Sequence, residues 1–91
     1  MVKKKTPNSL WAFRKKHGLS QKRVAFFLRH KTPSQLSHYE RGRKLPGLIN
    51  VLKLEIIYQV PVAVLFADLY QTLKEEIGDR EARLKEMLEA E

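Results

Sequence analysis

Apolar residues recur along this chain in short bursts at helical spacing, and the most organised stretch is residues 19–42, LSQKRVAFFLRHKTPSQLSHYERG. Ser20 is a good N-cap and comes two residues after Gly18, a good helix stop. Val24, Ala25 and Leu28 then share one face at helical spacing. Thr32-Pro33 is a second start signal, a fair cap followed by a residue suited to the first helical position. In the helix it opens, expected over about residues 32–41, Leu36, Tyr39 and Glu40 fall on one face. Ser34, Ser37, His38 and Arg41 fall on the opposite face, at i, i+3, i+4 and i+7. Gly42 ends this helix, because the left-handed position after a helix prefers glycine. The residues 29–31 that join the two helices contain no glycine.

The flanking pattern is also helical. Thr6-Pro7 reads as a cap-plus-proline start for a first helix running to about His17, with Leu10, Phe13 and His17 inward. Trp11 lies off that stripe and is expected to pack against a neighbouring helix end. Phe26 and Phe27 are adjacent and cannot face the same way, so one is expected in the core and the other over the turn or against a partner. Residues 48–58 are apolar on more than one side, the mark of a central core helix or of an interface. Pro61 opens a short fifth helix with Val64, Leu65 and Leu69 as core. Residues 70–91 have high helix propensity. There Leu73, Ile77, Leu84 and Met87/Leu88 approximate a stripe continued from Phe66 and Leu69, broken near Arg80-Glu81. That stripe is a weak coiled-coil signal, expected to serve dimerisation or a partner protein, with a surface helix packing on its own domain as the alternative. The fold class is therefore all-α.

At this point the pattern resembles the helix-turn-helix of the phage repressor and Cro type, the XRE family. The matching residues are Leu10, Phe13 and Arg14, then Gly18-Leu19-Ser20-Gln21, Val24-Ala25, Leu36-Ser37, and Tyr39-Glu40-Arg41-Gly42-Arg43-Lys44 with Pro46. Several elements agree in order and spacing over about residues 10–69. The resemblance implies a five-helix repressor-like domain, here over residues 7–69, with an additional C-terminal helical segment at 70–91. A basic arm at 1–6, expected to be flexible, precedes it. The resemblance also implies an Arg14–Glu40 ion pair, a phosphate-binding role for Gln21, and a loop of Arg43, Lys44 and Pro46 lying along the DNA backbone. The connection at 29–31 is one residue longer than the family's usual turn and lacks its glycine. The acid usually found near Arg23, which completes a capping box, is missing as well.

Charge sharpens the expectation. The 91 residues carry a formal net charge of +8. Residues 1–47 hold 13 Lys/Arg and one acid, a net +12, whereas residues 48–91 hold 5 Lys/Arg and 9 acids, a net −4. Only the half containing the two-helix motif is basic, which suits a polyanionic partner. No helix combines a basic polar face with a broad apolar one, so a membrane partner is not expected. With no cysteine and three scattered histidines, no disulfide framework, metal site or cofactor is expected. No acid pair or nucleophile–base arrangement stands out, which argues against an enzyme. Lys3-Lys4-Lys5 is not followed by an apolar segment, so the protein is expected in the cytoplasm.

The function expected is sequence-specific binding of double-stranded DNA by a transcriptional regulator, a repressor reading an inverted repeat as a homodimer. Ser34, Ser37 and His38, with Gln35 next, are the base-edge candidates. Gln21, Lys22, Arg41, Arg43 and Lys44 are the phosphate candidates. A rival reading is an antitoxin or adaptor of the same family whose C-terminal half binds another protein. A further rival is a non-specific nucleic-acid binder, disfavoured because the chain lacks an aromatic stacking platform.

Overall fold

The computed structural model describes residues 7–90, so the basic arm and Thr6 lie outside the described residues. Six helices follow in order: α1 (Leu10–Lys16), α2 (Gln21–Phe27), α3 (Ser34–Glu40), α4 (Leu48–Tyr58), α5 (Val62–Leu65) and α6 (Ala67–Glu89). No strand occurs among the described residues. The first five helices form the domain, and α6 is the additional C-terminal helix.

The core gathers one or two apolar residues from each short helix: Leu10, Val24, Leu28, Leu36, Leu54 and Leu65, closed by Tyr39, Tyr58 and Phe66. Fully burying a side chain of this size contributes about 1.5–3 kcal/mol. Seven-residue helices are unstable alone, so these contacts rather than helix propensity hold α1, α2 and α3 in place.

The stops of the first three helices share one geometry. After each, the residue beyond the C-cap is left-handed, and two backbone N–H groups reach back to the last turn. Gly18 and Gly42 do this at φ 66° and 71°. After α2 the position is filled by Arg29 at φ 62°. Its N–H bonds the Phe26 carbonyl and the His30 N–H bonds the Ala25 carbonyl, at 3.0 and 2.9 Å. The glycine-free connection thus forms the same turn with a residue that prefers not to be there. Gly42 has a second constraint, since a Cβ there would lie 2.6 Å from the Pro7 Cβ.

Several expectations change. Helix α1 starts at Leu10 rather than near Pro7, because buried Asn8 supplies the start. Its Oδ1 accepts from the Leu10 N–H at 3.0 Å, while its Nδ2 donates to the Tyr39 carbonyl at 2.7 Å. Helix α3 begins at Ser34, with Pro33 before it rather than inside it. Phe26 and Phe27 both point outward, stacked edge-on at 6.1 Å, because Val24, Ala25 and Leu28 already fill the inward face of α2. Trp11 is half-exposed with the Lys15 ammonium over its ring, not packed on a helix end. In the fifth helix Leu65 is buried but Val64 is partly exposed, Leu69 falls in α6 and is also partly exposed, and Phe66 between the two helices takes their place in the core. His17 is exposed, yet its Nε2–H donates to the Tyr58 carbonyl at 2.9 Å and its ring stacks on Tyr58. That contact ties the end of α1 to the end of α4.

Candidate nucleic-acid interface

The two faces of α3 differ sharply. Leu36, Tyr39 and Glu40 are buried. Ser34, His38 and Arg41 are exposed, and Ser37 is half-buried at the edge of the same outer face. Serine hydroxyls, an imidazole and a guanidinium can donate to or accept from base edges without a carboxylate to repel phosphate. Gln35 is half-buried, and its Oε1 is covered from solvent with no hydrogen-bond partner. A bidentate grip on adenine needs both ends of the amide at the groove, so the geometry here offers less than the sequence suggested for Gln35. Ser34 is held at the start of the helix, where the Thr32 hydroxyl donates to its Oγ at 3.1 Å.

Glu40 anchors α3 to α1 and α2. Its Oε2 accepts from Arg14 Nε at 2.7 Å, and its Oε1 accepts from a terminal Arg14 nitrogen at 3.1 Å. The other terminal nitrogen of Arg14 donates to the Leu19 carbonyl at 3.1 Å, in the turn before α2. Gln21 Nε2 then donates to Glu40 Oε1 at 3.0 Å. Both members of the ion pair are buried. The hydrogen bond to Glu40 raises the Arg14 pKa above its ordinary value, outweighing the opposing effect of burial. The one acid of the basic half is therefore fully engaged inside the protein. Gln21, expected on phosphate, is turned to the Glu40 carboxylate with one amide hydrogen, leaving one for another acceptor.

A second tether holds the long connection. Asn50 of α4 donates to the Tyr39 hydroxyl at 3.2 Å and lies 3.5 Å from His30 Nε2, while His30 meets the Tyr39 ring edge-on. The turn and the inner face of α3 are thereby fastened to the same residue of α4. Neither Asn8 nor Asn50 belongs to the motifs that mark the sequence. Asn8 had a weak signal as a polar residue next to a helix start; Asn50 had none.

The cations surround α3. Lys22 shares a surface hollow with Thr32 and Pro33 at the start of the helix. Arg41 closes the helix, and Arg43 and Lys44 lie exposed in the loop that follows. At the start of α2 the Ser20 hydroxyl accepts from the Arg23 N–H at 3.1 Å, the half of a capping box that the sequence retains. No group of metal-ligating side chains occurs among the described residues, and no helix among them is long and apolar enough to cross a membrane.

A helix-turn-helix family model matches residues 12–65, the segment from α1 to the end of α5. No curated protein and no solved structure matches the chain. With the fold, the two-helix motif and this match in agreement, the chain belongs to the XRE/Cro-type helix-turn-helix family of DNA-binding regulators.

Proposed function

We propose that the protein is a transcriptional repressor that reads an inverted-repeat operator as a homodimer, with α3 in the major groove. The observation that carries this reading is the outer face of α3, polar and free of carboxylates, ringed by Lys22, Arg41, Arg43 and Lys44. Ser34, Ser37 and His38 contact base edges, and Gln35 lends at most its amide nitrogen. The four cations, with the remaining N–H of Gln21, hold phosphates and fix the register. Residues 7–69 act as the DNA-binding unit and 70–91 as the dimerisation segment, in the cytoplasm where the operator is reached. One helix reads only a few base pairs, so a two-fold pair with half-sites about 34 Å apart supplies the specificity. Repression follows when the dimer covers a promoter.

Selection of bound duplexes from a random library tests the binding, and a reporter carrying the selected site tests the sign of regulation. A selected inverted repeat and lowered reporter output are expected. Sites without symmetry, or raised output, would refute the corresponding part.

A partner-protein reading has one observation in its favour. Leu45, Leu48, Ile49, Leu52 and Ile56 leave an exposed apolar stripe on and just before α4. An antitoxin or adaptor would use that stripe for its partner. The two readings separate on whether the purified chain alone regulates the reporter.

A further inference from the structure

Helix α6 runs for 23 residues and buries none of them. A helix that buries none of its residues against its own domain gains little stability from it, and exposed apolar stripes of this length mark an interaction surface. The register of the stripe is informative. Tyr70, Leu73, Ile77, Arg80, Leu84 and Met87 are spaced three and four residues apart in strict alternation, the a and d positions of a heptad. All five apolar members are about half-exposed or more.

We propose that α6 pairs with α6 of a second copy of this chain in an antiparallel coiled coil centred between Gly78 and Asp79. This deepens the dimer of the proposed function and rests on that reading for its role in DNA binding, though not for its own geometry. In this register Tyr70 packs on the partner's Met87 and Leu73 on the partner's Leu84. Ile77 packs on the partner's Arg80, whose aliphatic stem covers the seam while its guanidinium reaches the edge.

The flanking charges decide the direction. In an antiparallel pair, positions e face e and positions g face g. Lys74 then lies opposite the partner's Glu81, and Glu76 opposite the partner's Arg83, so each pair is attractive and occurs twice by symmetry. In a parallel pair, Glu76 would instead face the partner's Glu81, twice, with no compensating attraction among the other flanking positions. Among the described residues none of Lys74, Glu76, Glu81 and Arg83 forms an ion pair within its own chain, so all four are available to a second copy. The points where the two α6 helices leave their domains would lie about 38 Å apart along the helix axis. That is the scale of one turn of DNA.

The native chain has no cysteine, so cross-linking reports the register directly. Full-length Leu73→Cys and Leu84→Cys are prepared separately and mixed, then treated with a short bismaleimide. The mixture should form a covalent heterodimer, whereas each variant alone should not, its two thiols being about 16 Å apart along the axis. Self-linking of either variant, or no heterodimer in the mixture, would overturn the proposal.

Charge reversal gives an independent readout by sedimentation equilibrium. Glu81→Lys should weaken the dimer on the order of tenfold, and adding Lys74→Glu in the same chain should restore it. A tighter dimer for Glu81→Lys would show a parallel pair and refute the register. If the cross-links fail while selected DNA sites keep their inverted symmetry, the register is wrong and the DNA reading stands. If the cross-links form and no symmetric site emerges, the converse holds.

Discussion

Removing either member of the Arg14–Glu40 pair should come close to unfolding the domain. The pair is buried, with side chains 7% and 4% exposed, and its two contacts are 2.7 and 3.1 Å. Arg14→Ala leaves a buried carboxylate with Gln21 as its remaining described donor and frees the Leu19 carbonyl. Glu40→Ala leaves a buried guanidinium with the Leu19 carbonyl as its one described acceptor. Stranding one charge of a buried pair costs about 3–5 kcal/mol, against a total stability of about 5–15 kcal/mol for a natural domain. In a chain of this size that corresponds to a fall in Tm of the order of 20 °C. Because the raised pKa keeps Arg14 charged throughout the accessible pH range, the guanidinium cannot escape the cost by losing its proton. Urea unfolding of the wild type, both single variants and Arg14→Ala/Glu40→Ala completes a double-mutant cycle. The double variant should lose at least about 2 kcal/mol less than the two singles together. Additive losses, or single losses below about 1 kcal/mol, would refute the buried pair as the anchor of α3.

Arg29→Gly should stabilise the free protein by about 0.5–1 kcal/mol, since a left-handed non-glycine residue costs about 1–2 kcal/mol and glycine returns part of that as unfolded-chain entropy; a urea midpoint at or below the wild-type value would count against strain at this turn. Tyr58 holds its proton well above the ordinary range, chiefly through burial and then through the charge of Glu40. A raised folded pKa contributes stability that is complete below the unfolded value of about 10 and is lost as pH rises beyond it. Thermal unfolding should show this loss above pH 10, and Tyr58→Phe, which also removes a buried hydroxyl without a partner, should reduce it while leaving neutral-pH stability equal or higher. Lys44→Ala should make the log–log salt dependence of DNA affinity shallower by about one unit, with similar losses on all sequences; an unchanged slope would remove Lys44 from the phosphate contacts.

Much of the core was legible because each short helix carries its own start, stop and inward face. Ser20, Gly18 and Gly42 act where local rules place them, and Leu36 and Tyr39 face inward as their spacing requires. What the sequence hid depends on long-range contact or on competition for space. Asn8 looks like one more polar residue at a helix start until its amide is seen under the Tyr39 carbonyl. The outward turn of both Phe26 and Phe27 follows from three smaller neighbours having filled the α2 face, which no propensity encodes. Arg29 in a left-handed turn had no local signal, since residue type argues against it. The candidate site was readable as a helix face, but the inward turn of Gln35 and the capture of Gln21 by Glu40 depend on packing between helices. In α6 the stripe was visible, yet its isolation from the domain was not, because periodicity specifies an apolar face and not what covers it.

In the proposed complex the outer face of α3 reads bases. Selecting bound duplexes from one random library with the wild type and with His38→Ala puts that reading to the test. The wild type should select an inverted repeat with half-sites one turn apart. His38→Ala should relax preference at one symmetric pair of positions and retain the rest of the site. Selected sites with no symmetry, or an unchanged preference at every position in the variant, would contradict it.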